Sequence, residues 1–167
     1  MKLGFVFACL TSATLASQAA SFSLKCDLKT LAGPHSVCQV GQVNICQRSY
    51  LIDTKSRSVS EIPTPVTGDP IPLKVLSWSE DLVKFRRGLV SQGEQGSAEY
   101  WELNAVISIS RRTGDIFVRE EYADSKSKPF TGEQLETLRS KVGTHPLFGM
   151  RDLNTQSGSC TVSKQLF

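Results

Sequence analysis

The sequence predicts a mainly β protein: an antiparallel β-barrel or sandwich with one α-helix in the C-terminal half, at about residues 131–143. Three observations carry that class. Several stretches alternate apolar and polar residues with a period of two, as half-buried strands do. Short clusters of Gly, Pro, Asn, Asp and Ser separate them at hairpin-like intervals. One stretch alone carries a helix start signal followed by helical spacing.

Phe22, Leu24, Cys26 and Leu28 alternate with Ser23, Lys25 and Asp27, which predicts a first strand. Ala32-Gly33-Pro34 breaks it. A second strand is expected from Ile45 to Asp53, with Cys46, Tyr50 and Ile52 along it. Asp53-Thr54-Lys55-Ser56 is turn material, and Arg57 to Ile62 returns as a third strand. Pro63, Pro65, Pro70 and Pro72 mark a loop-rich stretch, because proline cannot donate to a sheet ladder. Leu73 to Trp78 and Leu82 to Arg86 flank the polar Ser79-Glu80-Asp81 and read as a hairpin. Gln92 to Ser97 reads as a flexible polar loop with two glycines. From Tyr100 to Ile109, Trp101, Leu103, Ala105, Ile107 and Ile109 share one face, with Glu102, Asn104 and Ser108 opposite. Arg111-Arg112-Thr113-Gly114 turns the chain, with Gly114 suited to a left-handed position, and Ile116 to Glu121 comes back.

The helix is well signed. Thr131 and Gln134 form a capping box, with Phe130 and Leu135 placed for the hydrophobic staple across it. Leu135, Leu138 and Val142 follow at helical spacing, and Gly143 is a suitable stop. A last strand is expected from Ser159 to Leu166.

Residues 1–19 have the layout of a secretory signal peptide: Lys2, a mostly apolar run from Leu3 to Leu15, then Ser17-Gln18-Ala19. Cleavage is expected after Ala19, leaving 20–167 as a single exported β-rich domain, periplasmic or secreted. The apolar run falls short of the roughly 20 residues a membrane-spanning helix needs, and no second such run follows. Bulky Phe7 before Cys9 argues against a lipid anchor. The formal net charge of +3 is too small for a dedicated nucleic-acid binder.

Cys9 leaves with the signal peptide. Cys26, Cys38, Cys46 and Cys160 remain, an even set in an oxidising compartment, which reads as two disulfides. A barrel that closes brings its first and last strands together, so Cys26 is expected to pair with Cys160 and Cys38 with Cys46. The rival pairing joins Cys26 to Cys46 and Cys38 to Cys160. Zinc spacing is absent, and neither a metal nor another cofactor is expected.

No nucleophile elbow, zinc-protease helix, P-loop or EF-hand loop occurs. A hydrolytic triad would have to use His35 or His145, the only histidines. Glu120-Glu121 and Glu80-Asp81 are sequence neighbours, which point to opposite faces of a strand and so do not build a catalytic pair. Lys84, Arg86, Arg87, Arg111, Arg112 and Arg119 would meet if their hairpins lie side by side. They make either an anionic contact surface, for an envelope component or an acidic protein, or a solvated strand face that discourages edge-to-edge aggregation; the second is favoured.

Tyr50-Leu51-Ile52-Asp53-Thr54, Pro72 to Trp78, Ile109 to Gly114 and Ser157-Gly158-Ser159-Cys160 resemble segments of small exported bacterial β-rich proteins of unknown function. That resemblance implies a β-rich periplasmic domain and no activity. Gly96-Ser97-Ala98-Glu99-Tyr100 is similar to the loop of periplasmic inhibitors of c-type lysozyme, with Gly-Ser in place of that family's Ser-Gly. This second resemblance implies that Ser97 and Tyr100 of the 93–100 loop meet the catalytic carboxylates of the target. The expected function is therefore a non-enzymatic periplasmic or secreted binding or accessory protein. The alternatives are an inhibitor of a cell-wall-degrading enzyme and a hydrolase using His35 or His145.

Overall fold

Each strand hydrogen-bonds to the next in the chain and the last returns to the first, so eight antiparallel strands form a closed barrel. The computed structural model describes residues 21–32, 45–63, 68–95, 97, 100–142 and 153–166. The strands are β1 (Ser21–Ala32), β2 (Ile45–Asp53), β3 (Ser58–Ile62), β4 (Ile71–Trp78), β5 (Leu82–Gln92), β6 (Trp101–Ser110), β7 (Asp115–Ala123) and β8 (Thr155–Leu166). One helix, α1 (Gly132–Val142), lies between β7 and β8. Closure leaves little edge for another chain to pair with, which is how a small all-β domain avoids self-association.

The period-two pattern builds the interior as expected. Leu24, Cys26 and Leu28 of β1 are buried while Lys25, Asp27 and Lys29 are exposed. Tyr50 and Ile52, Val59, Val83 and Phe85, Ile107 and Ile109, and Ile116 and Val118 join them in the main core. Tyr50 and Phe85 meet edge to face with ring centroids 5.2 Å apart. A second cluster of Trp101, Leu103 and Tyr122 lies towards the other end, with Trp101 and Tyr122 edge to face at 5.3 Å. Phe130, Leu135, Leu138 and Leu153 pack on that cluster, so α1 covers this end of the barrel. The capping box forms: Thr131 N donates to Gln134 Oε1 at 2.9 Å, and Gln134 N donates to Thr131 Oγ1 at 3.4 Å. The expected stop, Gly143, lies outside the described residues.

The barrel closes where β1 meets β8, and a glycine makes the approach possible. A Cβ on Gly158 would stand 1.8 Å from the carbonyl oxygen of Asp27. Cys26 lies directly opposite Cys160, and the two form a disulfide across the seam.

Several boundaries differ from the sequence expectation. Arg57 belongs to the turn with φ 53°, so β3 starts at Ser58. Asp53 Oδ1 accepts the amides of Lys55 and Ser56 and shapes that turn. Pro72 sits inside β4, opposite Ser60 of β3. It is tolerated because pairing with β5 begins only at Lys74, so its missing N–H opens no gap on that side. β5 runs on to Gln92, which pairs with Trp101, so the connection spans residues 93–100 rather than Gln92 to Ser97. Gly88 and a bulge before Val90 let the strand bend there. β8 begins at Thr155 rather than Ser159. Asn104, expected on a solvent face, is 1% exposed. Its side-chain amide donates to Glu102 Oε1 at 3.0 Å, an oxygen that Arg86 also meets, and Arg86 donates to Ser127 Oγ at 2.8 Å.

Candidate functional site

Chemistry gathers at two levels of the barrel: a polar layer inside it, and an open mouth at the end away from α1. The polar layer comes from charged residues at inward-facing positions. Arg48 is in phase with Tyr50, Glu61 with Val59, and Arg87 with Phe85. Glu61 is 6% exposed and lies between both arginines. Arg48 donates to its Oε1 at 2.9 Å. Arg87 Nε stands 2.8 Å from Oε2 without its N–H aimed at that oxygen, so this is a Coulombic contact rather than a directed bond. Nearby, Glu120 Oε2 accepts from both the backbone and side-chain nitrogens of Asn154, each at 3.0 Å. The space these groups leave beside Tyr50 and Gln156 is about 20 Å³. That holds about one water and no larger ligand. Burial pushes the Tyr50 phenol well above its ordinary value of 10.0.

The mouth is larger. It is an open hollow of about 360 Å³ with walls from Phe22, Leu24, Ile52, Val83, Ile109 and Val162. Strand lengths create it. β7 pairs with β8 only as far as Asp115 and Ser159, whereas β8 continues along β1 to Leu166. Val162 is therefore left 62% exposed. The β6–β7 turn, residues 111–114, closes one side. Gly114 adopts φ 75° there, and its carbonyl accepts Cys160 N at 2.8 Å. A Cβ at this position would stand 2.7 Å from the Cys160 carbonyl oxygen, so the turn reaches β8 because the residue is glycine.

That turn is tied to the β4–β5 turn. Arg111 N donates to Asp81 O, and Arg111 Nη1 to Ser79 O, both at 2.8 Å. The Arg111 guanidinium lies 5.6 Å from the Trp78 ring centroid, a cation–π contact. Arg112 pairs with Asp81 through Nε. Thr113 Oγ1 donates to Asp115 Oδ2 at 2.6 Å.

The residues singled out in the sequence do not meet in one place. Ser97 is exposed and Tyr100 half-buried, at the β5–β6 connection. Tyr100 N donates to Ser97 O at 3.3 Å, and the Tyr100 hydroxyl to Glu102 Oε2 at 3.4 Å. His35, His145 and Cys38 lie outside the described residues, and for Cys46 the backbone of β2 alone is described. The six cations are dispersed. Arg86 pairs with Glu102, Arg87 with Glu61, Arg112 with Asp81 and Arg119 with Glu121, so charge is largely neutralised locally. The mouth and the Arg48–Glu61–Arg87 layer were not read from the sequence. A signal for the layer was present: each charged residue stands two positions from a core residue on its strand.

Among the described residues, no group of three or more His, Cys, Asp or Glu side chains is placed to hold a metal ion, and no helix is long and apolar enough to cross a membrane. Comparison with protein-family models, curated proteins and solved structures finds no match.

Proposed function

We propose that this chain is an exported, non-enzymatic binding protein whose site is the barrel mouth and whose ligand is a small molecule with a substantial apolar part. The observation that carries the reading is the open hollow of about 360 Å³ walled by aliphatic and aromatic side chains. Small-molecule sites of about 300–1,000 Å³ are typical, and most are apolar with a few placed polar groups. An apolar ligand entering here would gain about 25 cal/mol for each Å² removed from water. Export rests on the layout of residues 1–19, and the Cys26–Cys160 bridge is consistent with an oxidising compartment. The mouth is favoured over the 93–100 loop because the Tyr100 hydroxyl is engaged with Glu102 rather than presented to a partner.

The test is a titration of the secreted chain with the neutral fluorophore N-phenyl-1-naphthylamine, read by fluorescence and by backbone amide shifts. Saturable binding that moves the amides of Phe22, Ile109, Ser110, Gly114 and Val162 supports the reading. No saturation, or shifts confined to the 93–100 loop, overturns it. Inhibition of c-type lysozyme that disappears in Ser97→Ala/Tyr100→Ala would move the function to that loop.

A further inference from the structure

We infer that the molecule held in the mouth is a single-chain amphiphile with a carboxylate head group, its head at Arg111 and Arg112 and its chain in the apolar throat. This rests on the mouth being the binding site. Among the described residues, the formal charges in the lining are both cationic, Arg111 and Arg112, both on the rim turn, and no carboxylate lines the hollow.

Arg111 is the stronger of the two observations. Its guanidinium is fixed by the Ser79 carbonyl and the Trp78 ring, and among the described residues no carboxylate pairs with it. It is therefore a positioned cation whose charge is not cancelled locally. Pre-positioning removes the entropy cost that a free arginine would incur on binding.

Arg112 can also contribute. Its side chain is 76% exposed and meets Asp81, itself 59% exposed, an ion pair that water and salt screen. A guanidinium carries five donors, so one carboxylate does not use them all. The other acids near these turns, Glu80, Asp115 and Asp53, are not among the residues that line the hollow. Asp115 accepts from Thr113, and Asp53 is held by the amides of Ser56 and Lys55, with its carboxyl below the usual range for that reason. An anionic head in the hollow thus meets two lining cations and, among the described residues, no lining carboxylate. A cationic head would meet repulsion at the same rim. A planar carboxylate suits the guanidinium fork.

The experiment compares decanoate, decan-1-ol, decyltrimethylammonium and decyl sulfate, each below its micelle concentration, by calorimetric titration of the secreted chain. Decanoate is expected to bind about tenfold or more tighter than the trimethylammonium, with the alcohol between them. Raising the salt should weaken decanoate and leave the alcohol unchanged. Arg111→Gln and the exposed Arg112→Gln should each lower decanoate affinity several-fold and spare the alcohol. Val162→Glu, which puts a carboxylate on the wall, should weaken decanoate more than the alcohol and favour the trimethylammonium. Equal binding of all four heads overturns the head-group inference and leaves the mouth as the site. Tightest binding of the trimethylammonium overturns the charge argument, and of decyl sulfate the carboxylate assignment. No binding of any of the four, together with no binding of the neutral fluorophore, brings down the site itself.

Discussion

Removing the Cys26–Cys160 bridge is expected to cost about 5 kcal/mol. The bridge joins residues 134 apart in sequence, across the β1–β8 seam. In the chain-entropy model, closing a loop of that length removes about 17 cal/mol/K from the unfolded ensemble, or about 5 kcal/mol at 25 °C. A domain of this size has total stability of about 5–15 kcal/mol, so the loss is a large share of it. The clean comparison carries Cys38→Ala/Cys46→Ala in both proteins, so that thiol exchange does not interfere, and adds Cys26→Ala/Cys160→Ala in one. Urea unfolding followed by tryptophan fluorescence gives the midpoint and the slope m. The midpoint should fall strongly. The slope should rise, because the unbridged unfolded chain is more expanded and exposes more surface. A loss under about 1 kcal/mol with unchanged slope would refute the reasoning. It would mean that the eleven register partners of β1 and β8 hold the seam without covalent help.

Four further outcomes follow from particular positions. Gly158→Ala should cost about 3 kcal/mol or more, because the new methyl overlaps the Asp27 carbonyl and neither backbone can retreat without opening the seam. Gly68→Ala, with nothing within 4 Å, should be near neutral in the same urea assay. Glu61→Gln should cost about 2 kcal/mol, since it leaves two arginines facing each other, partly relieved by their exposure; Arg48→Met/Glu61→Leu/Arg87→Met should recover most of that loss. Tyr50 is held protonated above its ordinary value of 10.0, so its contribution is complete below that pH and is lost as the pH rises past it, when the unfolded phenol ionises and the folded one does not. Stability should then fall by up to about 1.4 kcal/mol per pH unit, and Tyr50→Phe should flatten that decline in urea midpoints.

The sequence by itself determined the local structure. Alternation from Phe22 to Leu28 and from Trp101 to Ile109 set two strands and named their inward residues, because a strand has no other way to bury one face. Gly114 marked a left-handed turn, and Thr131 with Gln134 marked the helix start, because both are decided within a few residues. It also pointed to the Cys26–Cys160 bridge once closure was assumed. What tertiary structure alone decided depends on contacts between distant segments. Pro72 looked like a strand breaker until the stagger of β3 and β5 left its missing donor harmless on the β5 side. Asn104 looked exposed until the fold buried it, with its amide donating to the Glu102 carboxylate that Arg86 also meets. Arg48, Glu61 and Arg87 stand on three different strands, and only barrel closure brings them within reach of one another. The mouth exists because β8 outruns β7, a difference in strand length that no local pattern records. Periodicity is a property of neighbours along the chain, whereas a cavity is a property of which strands end where.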